Sequence, residues 1–452
     1  MFLLAALCTK EQYGSAGILL AVQQVIAVLV VSGLIESTTL LLNEYRSKAE
    51  LPKLFAHARM LLLFTAAAVS LSYLAAAKTI LPSYVRGTSF LVHVSVLLTG
   101  VFIGRLSLNS NLHRLDERHR ESLFLKAMPI VLCYGVGIAG TLLLRDKLTG
   151  FFVGSLVGAG IAEALTRWVS RDQEWDMRYS VDGHTLRRLA LGARHMLPII
   201  VVNWLVGYGA NFMIGRKFSK SDIAEFTFAV TLNSLLLLTL NSINQVWSPR
   251  FFKVAHERAS EELESLNSLM STAMLLLVSV VIGAILLFYV NALNLLGGNL
   301  RSYSDLHPYL FLTFSSFILL TLYFRCINYF YLYGKQYIYM NIFVLSGMVG
   351  LACWWLMMKY MGRPGIYAGY FLCIVLRSLS VFWYARKKWG VRISAEEIPA
   401  TLMIAAAGYA FAVGISGVLL RSLLFMVVVC CITYFLWFMN RKALLSLKLL
   451  RV

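Results

Sequence analysis

Residues 267–290 read NSLMSTAMLLLVSVVIGAILLFYV, a run without one charged side chain. About 20 mainly apolar residues wound as a helix cross the hydrocarbon core of a bilayer, so this stretch is long enough to span. Twelve similar runs surround it, at 15–42, 60–78, 88–104, 124–144, 149–168, 195–215, 223–248, 306–333, 336–358, 364–385, 398–419 and 422–440. With 59% hydrophobic and only 14% charged residues in 452, little sequence is left for a water-soluble domain. The expected fold is therefore all-α: a polytopic membrane protein whose helices meet lipid on most of their outer surface.

Met1 to Cys8 is apolar but too short to span, and it lacks the charged flank and cleavage site of a signal peptide. It reads as the end of a truncated first helix. Counting it gives about 14 segments and places both termini on one side. Lys and Arg concentrate in Arg105 to Lys126, Arg167 to Arg194 and Arg386 to Arg392, which makes that side cytoplasmic by the positive-inside bias. The net charge of +19 is thus a topology signal. Scattered over short loops, it does not form the single basic patch of a nucleic-acid binder. The 7 cysteines show no zinc or redox spacing, so no metal and no cofactor is expected.

The longest polar stretch, Ser170 to Ala190, divides the chain. The expected organisation is an N-terminal lobe at 1–169, a cytoplasmic linker at 170–190, a second lobe at 191–390, and two additional helices with a tail at 391–452. Phe251 to Leu266 reads as an amphipathic interfacial helix, with Pro249 ending the span before it. An echo at offset 210 pairs Thr9-Lys10 with Ser219-Lys220 and Gln23 with Asn233. Gly150, Gly154, Gly158 and Ala162 place small residues on one helix face, a signature of close helix packing.

Polar residues inside the spans are costly in lipid and must face protein or water. Arg377 lies midway along one span, with Tyr370 and Tyr384 a heptad to either side. Arg325 lies nearer a span end with Asn328 one turn on, where snorkelling to the headgroups competes with a buried role. Glu36 and Glu163 are candidates for ion coupling, or for structural pairing with arginine. Asn203, Gly207 and Asn211 share one face of the seventh span; Asn233, Asn241, Asn244 and Gln245 stud the eighth. Such amides suit a wall facing sugar hydroxyls, and equally suit hydrogen bonds between helices.

Several segments carry a resemblance. Thr9-Lys10-Glu11-Gln12-Tyr13-Gly14 resembles the turn after the first helix in polysaccharide flippases of the multidrug/oligosaccharidyl-lipid/polysaccharide superfamily, in its O-antigen (Wzx-like) branch. Asn244 to Lys253, NQVWSPRFFK, is similar to that branch's signature ending the eighth helix, and Leu186 through Lys253 follows its usual order. Tyr333-Gly334-Lys335 and Gly362 to Ala368 are similar to the borders of its eleventh and twelfth helices. The resemblance implies two six-helix lobes opening alternately to either side, plus two C-terminal helices. It implies an undecaprenyl-diphosphate-linked oligosaccharide as substrate, moved across a bacterial inner membrane for cell-surface polysaccharide synthesis, with membrane lipids and other polysaccharide-assembly proteins as neighbours. Arg377 and Arg325 would meet the diphosphate, a chemistry that favours arginine. Asn203, Asn211, Asn233, Asn241 and Gln245 would line the path. Near Leu40, where many relatives carry a basic residue, this chain is apolar, so no contact is assigned there.

Two other functions compete. A drug or cation antiporter of the same superfamily would favour acidic cavity residues, whereas basic and amide residues predominate here. A membrane glycan polymerase needs a large outward loop with catalytic groups; the longest outward connection, Asn291 to Asp305, holds one carboxylate. The expectation is therefore a transporter and not an enzyme.

Overall fold

A computed structural model describes residues 1–48, 50–79, 88–169, 182–257, 260–393 and 396–439. Among them all regular structure is helical, and they group into two compact units, Met1–Thr227 and Phe228–Val452. The first unit holds α1 (Phe2–Leu7), α2 (Lys10–Val31), α3 (Leu34–Ser47), α4 (Leu51–Thr79), α5 (Phe90–Leu115), α6 (His119–Leu143), α7 (Lys147–Val169), α8 (Gly183–Trp204) and α9 (Ala210–Gly215). Helix α10 (Lys220–Glu257) runs from the first unit into the second. The second continues with α11 (Ser260–Leu296), α12 (His307–Leu332), α13 (Gln336–Met361), α14 (Arg363–Trp389), α15 (Glu397–Gly414) and α16 (Val418–Met439).

Thirteen helical segments are long and apolar enough to cross a membrane, one for each expected run. Two boundaries differ instructively. Pro249 does not end its span: α10 continues through it to Glu257. A proline removes one backbone donor, and the turn beyond it is held by Phe251, fully buried against Tyr329 at 5.0 Å and Trp247 at 6.3 Å. The separate interfacial helix expected at Phe251 to Leu266 is instead the end of α10 and the start of α11, with 258–259 outside the described residues. The last crossing begins at Val418, not 422, which brings Arg421 into α16. Of the expected linker, 170–181 lie outside the described residues, and Gly183 onward is already helix.

The glycine stripe sets a close helix contact in the first unit. A Cβ on Gly154 would overlap the carbonyl oxygen of Val136, one on Gly158 that of Leu132, and one on Gly150 that of Gly140. Ser155 Oγ donates to Cys133 O at 3.0 Å across the same interface. With no side chains between them, α6 and α7 approach to backbone contact, where dispersion rather than hydrophobic transfer holds helices together in lipid. Ala162 completes the stripe, packed with Leu106, Leu125 and Met128.

The offset-210 echo has a structural counterpart in helix capping. Thr9 Oγ1 accepts from Gln12 N at 3.3 Å while Gln12 Oε1 accepts from Thr9 N at 3.1 Å. Ser219 and Asp222 repeat this at the start of α10, at 3.2 and 3.1 Å. Each box satisfies two of the orphan donors of a helix start. Lys10 Nζ bonds Glu225 Oε1 at 2.8 Å, joining the two starts.

Where α3 leaves the membrane, it is clamped to the opening of α8. Arg188 grips Glu44 in a two-bond fork of 2.7 and 2.6 Å, and Tyr45 Oη pairs with Thr185 Oγ1 at 2.7 Å. The Arg188 hydrogen bond holds the Glu44 carboxyl down at about 2, and bonds from Thr185 and Lys53 lower Asp182. Carboxylates depressed in the fold contribute stability above their ordinary range near 4.5, and that contribution is lost as pH falls through the folded value. Protection of the Arg188 and Leu189 amides, taken relative to their intrinsic exchange rates, is therefore expected to hold from pH 7 to 5 and to fall between 4.5 and 2. Glu44→Gln should already exchange fast at pH 7; a Glu44→Gln profile matching the parent would refute the clamp.

Candidate substrate path and its buried charges

In the first unit two spans are irregular. The α2–α3 span breaks at Ser32 and Gly33, whose φ of 43° and 77° lie in the left-handed region; Gly33 suits this conformation, and a Cβ there would press on Ala193 O at 2.7 Å. In the seventh span, Leu205–Gly209 form a π-helical turn between α8 and α9, of a kind that often marks functional positions. The two irregular spans bond to each other: Trp204 Nε1 donates to Ala21 O at 3.0 Å, and Asn211 Nδ2 to Gly17 O at 3.0 Å. Asn211 is thus buried helix glue, also accepting from Thr227 Oγ1 at 3.4 Å. Asn203, two turns earlier, is exposed.

The two intramembrane carboxylates of this unit differ. Glu163 Oε1 is shared by Arg105 Nε at 3.1 Å and Arg167 Nε at 3.4 Å, so its charge is matched by guanidinium groups from α5 and α7. Glu36 stands in the first turn of α3, directly after the break. Its Oε2 is buried and makes no hydrogen bond. Close by, Arg114 donates to Asn111 Oδ1 at 2.6 Å, and Asn111 Nδ2 reaches Thr38 Oγ1 at 3.5 Å.

In the second unit, Asn241 and Gln245 lie exposed on α10, four residues apart and on one face. Asn244 accepts from Asn328 Nδ2 at 3.4 Å. Asn233 is 2% exposed, and neither amide atom has a hydrogen-bond partner. An amide exposed well inside a 36-residue span cannot meet hydrocarbon without losing its hydrogen bonds to water. Asn241 and Gln245 are therefore candidates for the wall of a hydrated path.

Arg325 and Arg377 occupy different settings. The Arg325 side chain is 1% exposed and meets two carboxylates: Nη2 lies 3.1 Å from Glu264 Oε1 and Nη1 3.9 Å from Glu397 Oε2. Glu264 also accepts from Tyr329 Oη at 2.5 Å and from Arg392 N at 3.1 Å. Asn267 Nδ2 donates to Arg325 O at 3.1 Å, and Asn267 Oδ1 accepts from Trp247 Nε1 at 3.1 Å. The tryptophan of the Trp-Ser-Pro segment thus anchors α10 to a knot joining α11, α12 and α15. Arg377, on α14, sets its guanidinium 3.8 Å from the centroid of the Phe343 ring, a close cation–π contact. Phe343 also touches Tyr323 and Tyr339, whose hydroxyls pair at 2.7 Å. Of the tyrosines expected on the Arg377 face, Tyr370 packs edge-on against Trp354, and Tyr384 belongs to a cluster with Phe330 and Trp389.

Glu264, Glu397 and Asn267 were not among the candidates, because each sits at or near a span end, where a carboxylate or amide is ordinary. Only the fold brings them to one guanidinium. Among the described residues, no group of three or more His, Cys, Asp or Glu side chains could hold a metal ion.

Helical spans, two of them irregular, define a polytopic α-helical membrane fold, and the chain resembles solved structures of that class. One is an inward-facing multidrug resistance MATE family transporter of the MOP superfamily, with TM-score 0.70 and 15% identity, covering 88% of this chain and 93% of that one. Another is the lipid II flippase MurJ in an inward closed conformation, with TM-score 0.68 and 11% identity, covering 95% and 97%. A third is the MATE transporter VcmN from Vibrio cholerae in its bent form, with TM-score 0.56 and 14% identity, covering 89% and 95%. At these identities the likeness is one of fold. Among curated proteins no sequence match is found. Residues 3–299 match the family described as "Polysaccharide biosynthesis protein", and the chain belongs to that family.

Proposed function

We propose that this protein is a flippase that carries an undecaprenyl-diphosphate-linked oligosaccharide across a bacterial inner membrane by alternating access, with both termini cytoplasmic. The observation that carries the reading is the exposure of Asn241 and Gln245 inside a membrane span of a polysaccharide-biosynthesis family member. A hydrated wall of amides suits a hydroxylated headgroup and has no use in a scaffold. Asn203 and Asn233 extend the amide set. Arg377, seated on the face of Phe343, is the arginine we assign to the diphosphate; Arg325, between Glu264 and Glu397, we assign to structure. Of the ion-coupling candidates, both keep one buried oxygen without a hydrogen bond; Glu36 stands beside a helix break, while the other oxygen of Glu163 is held by two arginines. The antiporter reading is less favoured because the intramembrane acids are few and largely paired.

The test is transport of a labelled undecaprenyl-diphosphate glycan in proteoliposomes. The parent protein is expected to transport it, and Arg377→Ala to lose about tenfold or more, the equivalent of ~1.4 kcal/mol of recognition. The double variant Asn241→Leu with Gln245→Leu should lose transport while keeping its thermal midpoint. Export of a cationic dye without glycan transport would overturn the reading in favour of the antiporter.

A further inference from the structure

The last helix carries a buried charge that the path above does not use. Arg421 is the fourth residue of α16 and is 5% exposed; its Nε and Nη2 are buried without a hydrogen-bond partner. No ion pair or side-chain hydrogen bond holds the guanidinium among the described residues. A buried guanidinium with nothing opposite it is strongly unfavourable, so the charge needs a counterpart.

The local backbone points to the counterpart's sign. The Arg421 amide donates to Gly417 O at 3.1 Å, so the helix starts there, and the amides of Val418, Leu419 and Leu420 have no acceptor within the helix. The first turn holds no acidic residue. A long helical side chain leans back over the turn N-terminal to it, the direction of those free amides. Positive charge and the positive end of the helix dipole then reinforce each other at one place.

The location supplies the chemistry. Arg421 lies only ~5 Å along the axis from the start of a helix ~33 Å long, close to the ~30 Å hydrocarbon thickness, so the opening turn of α16 sits at headgroup depth. Beside it on the helix surface Leu420 and Leu424 are exposed, an apolar surface fit for acyl chains. We infer that the opening turn of α16, with Arg421, binds the phosphate of an anionic membrane phospholipid. The inference does not depend on the flippase reading.

The test uses the full chain, counting retained lipids by native mass spectrometry and following thermal unfolding in detergent with phosphatidylglycerol, phosphatidylcholine or inorganic phosphate added. The parent should retain one phosphatidylglycerol more than Arg421→Met, and phosphatidylglycerol should raise its unfolding midpoint more than phosphatidylcholine does. Arg421→Met should weaken phosphatidylglycerol binding at least fivefold without lowering the lipid-free midpoint, and Arg421→Lys should keep part of the effect. If Arg421→Met does not fold, Arg421→Gln carries the same comparison. Equal phosphatidylglycerol responses in parent and variant would overturn the inference, showing a guanidinium met by water. Equal stabilisation by inorganic phosphate would overturn the lipid assignment.

Discussion

Gly154→Leu is expected to leave no stable folded protein in detergent, while Gly160→Leu, on the same helix, should purify and unfold like the parent. The two glycines differ only in what a side chain would meet. A Cβ on Gly154 overlaps the Val136 carbonyl, whereas one on Gly160 has nothing within 4 Å. A backbone carbonyl inside a helix cannot swing aside as a side chain can, so α6 and α7 would have to separate along the whole stripe, and the bond from Ser155 to Cys133 would go with them. Overpacking a core ordinarily costs about 1–3 kcal/mol, the range expected for Gly154→Ala. The leucine adds loss of the interface and should exceed ~4 kcal/mol, the tail of single-substitution effects. Size-exclusion profiles and thermal midpoints of the three variants decide it; parallel losses at positions 154 and 160 would show that the stripe is not a packing device.

Arg325→Ala should lower the thermal midpoint sharply, and by more than Arg377→Ala does. The Arg325 side chain is 1% exposed and that of Glu397 2%, so removing the guanidinium takes a countercharge from a carboxylate that water cannot reach. Breaking a buried pair by deleting one partner costs about 3–5 kcal/mol. Glu264, 28% exposed, can recover part of its hydration, so Glu264→Ala should cost less than Arg325→Ala. Thermal unfolding measured beside glycan transport separates the two arginines. Normal stability with lost transport in Arg325→Ala would return that residue to the substrate path.

The spans were legible in the sequence because burial in lipid demands long apolar helices, a requirement that each segment meets by itself. The glycine stripe was legible for a similar reason: spacing of four along a helix fixes a face whatever the partner is. The departures arose where a local rule met tertiary packing. Pro249 reads as a helix end, yet Phe251 buried against Tyr329 carries α10 past it. The end of the apolar run near 419 reads as a loop with Arg421 in it, yet the helix opens at Val418 and takes the arginine inside.

Sequence alone therefore determined the class of protein, the thirteen runs long and apolar enough to span and which side chains are too polar for lipid, since these follow from transfer free energies of single residues. What those polar residues do was decided only by the tertiary structure. Arg325 and Arg377 are alike as arginines within spans; the fold gives the first two carboxylates from α11 and α15 and the second the face of Phe343. The energy of a buried charge is set by what lies within a few ångströms of it, and partners more than 60 positions away in the chain leave no local mark in the sequence.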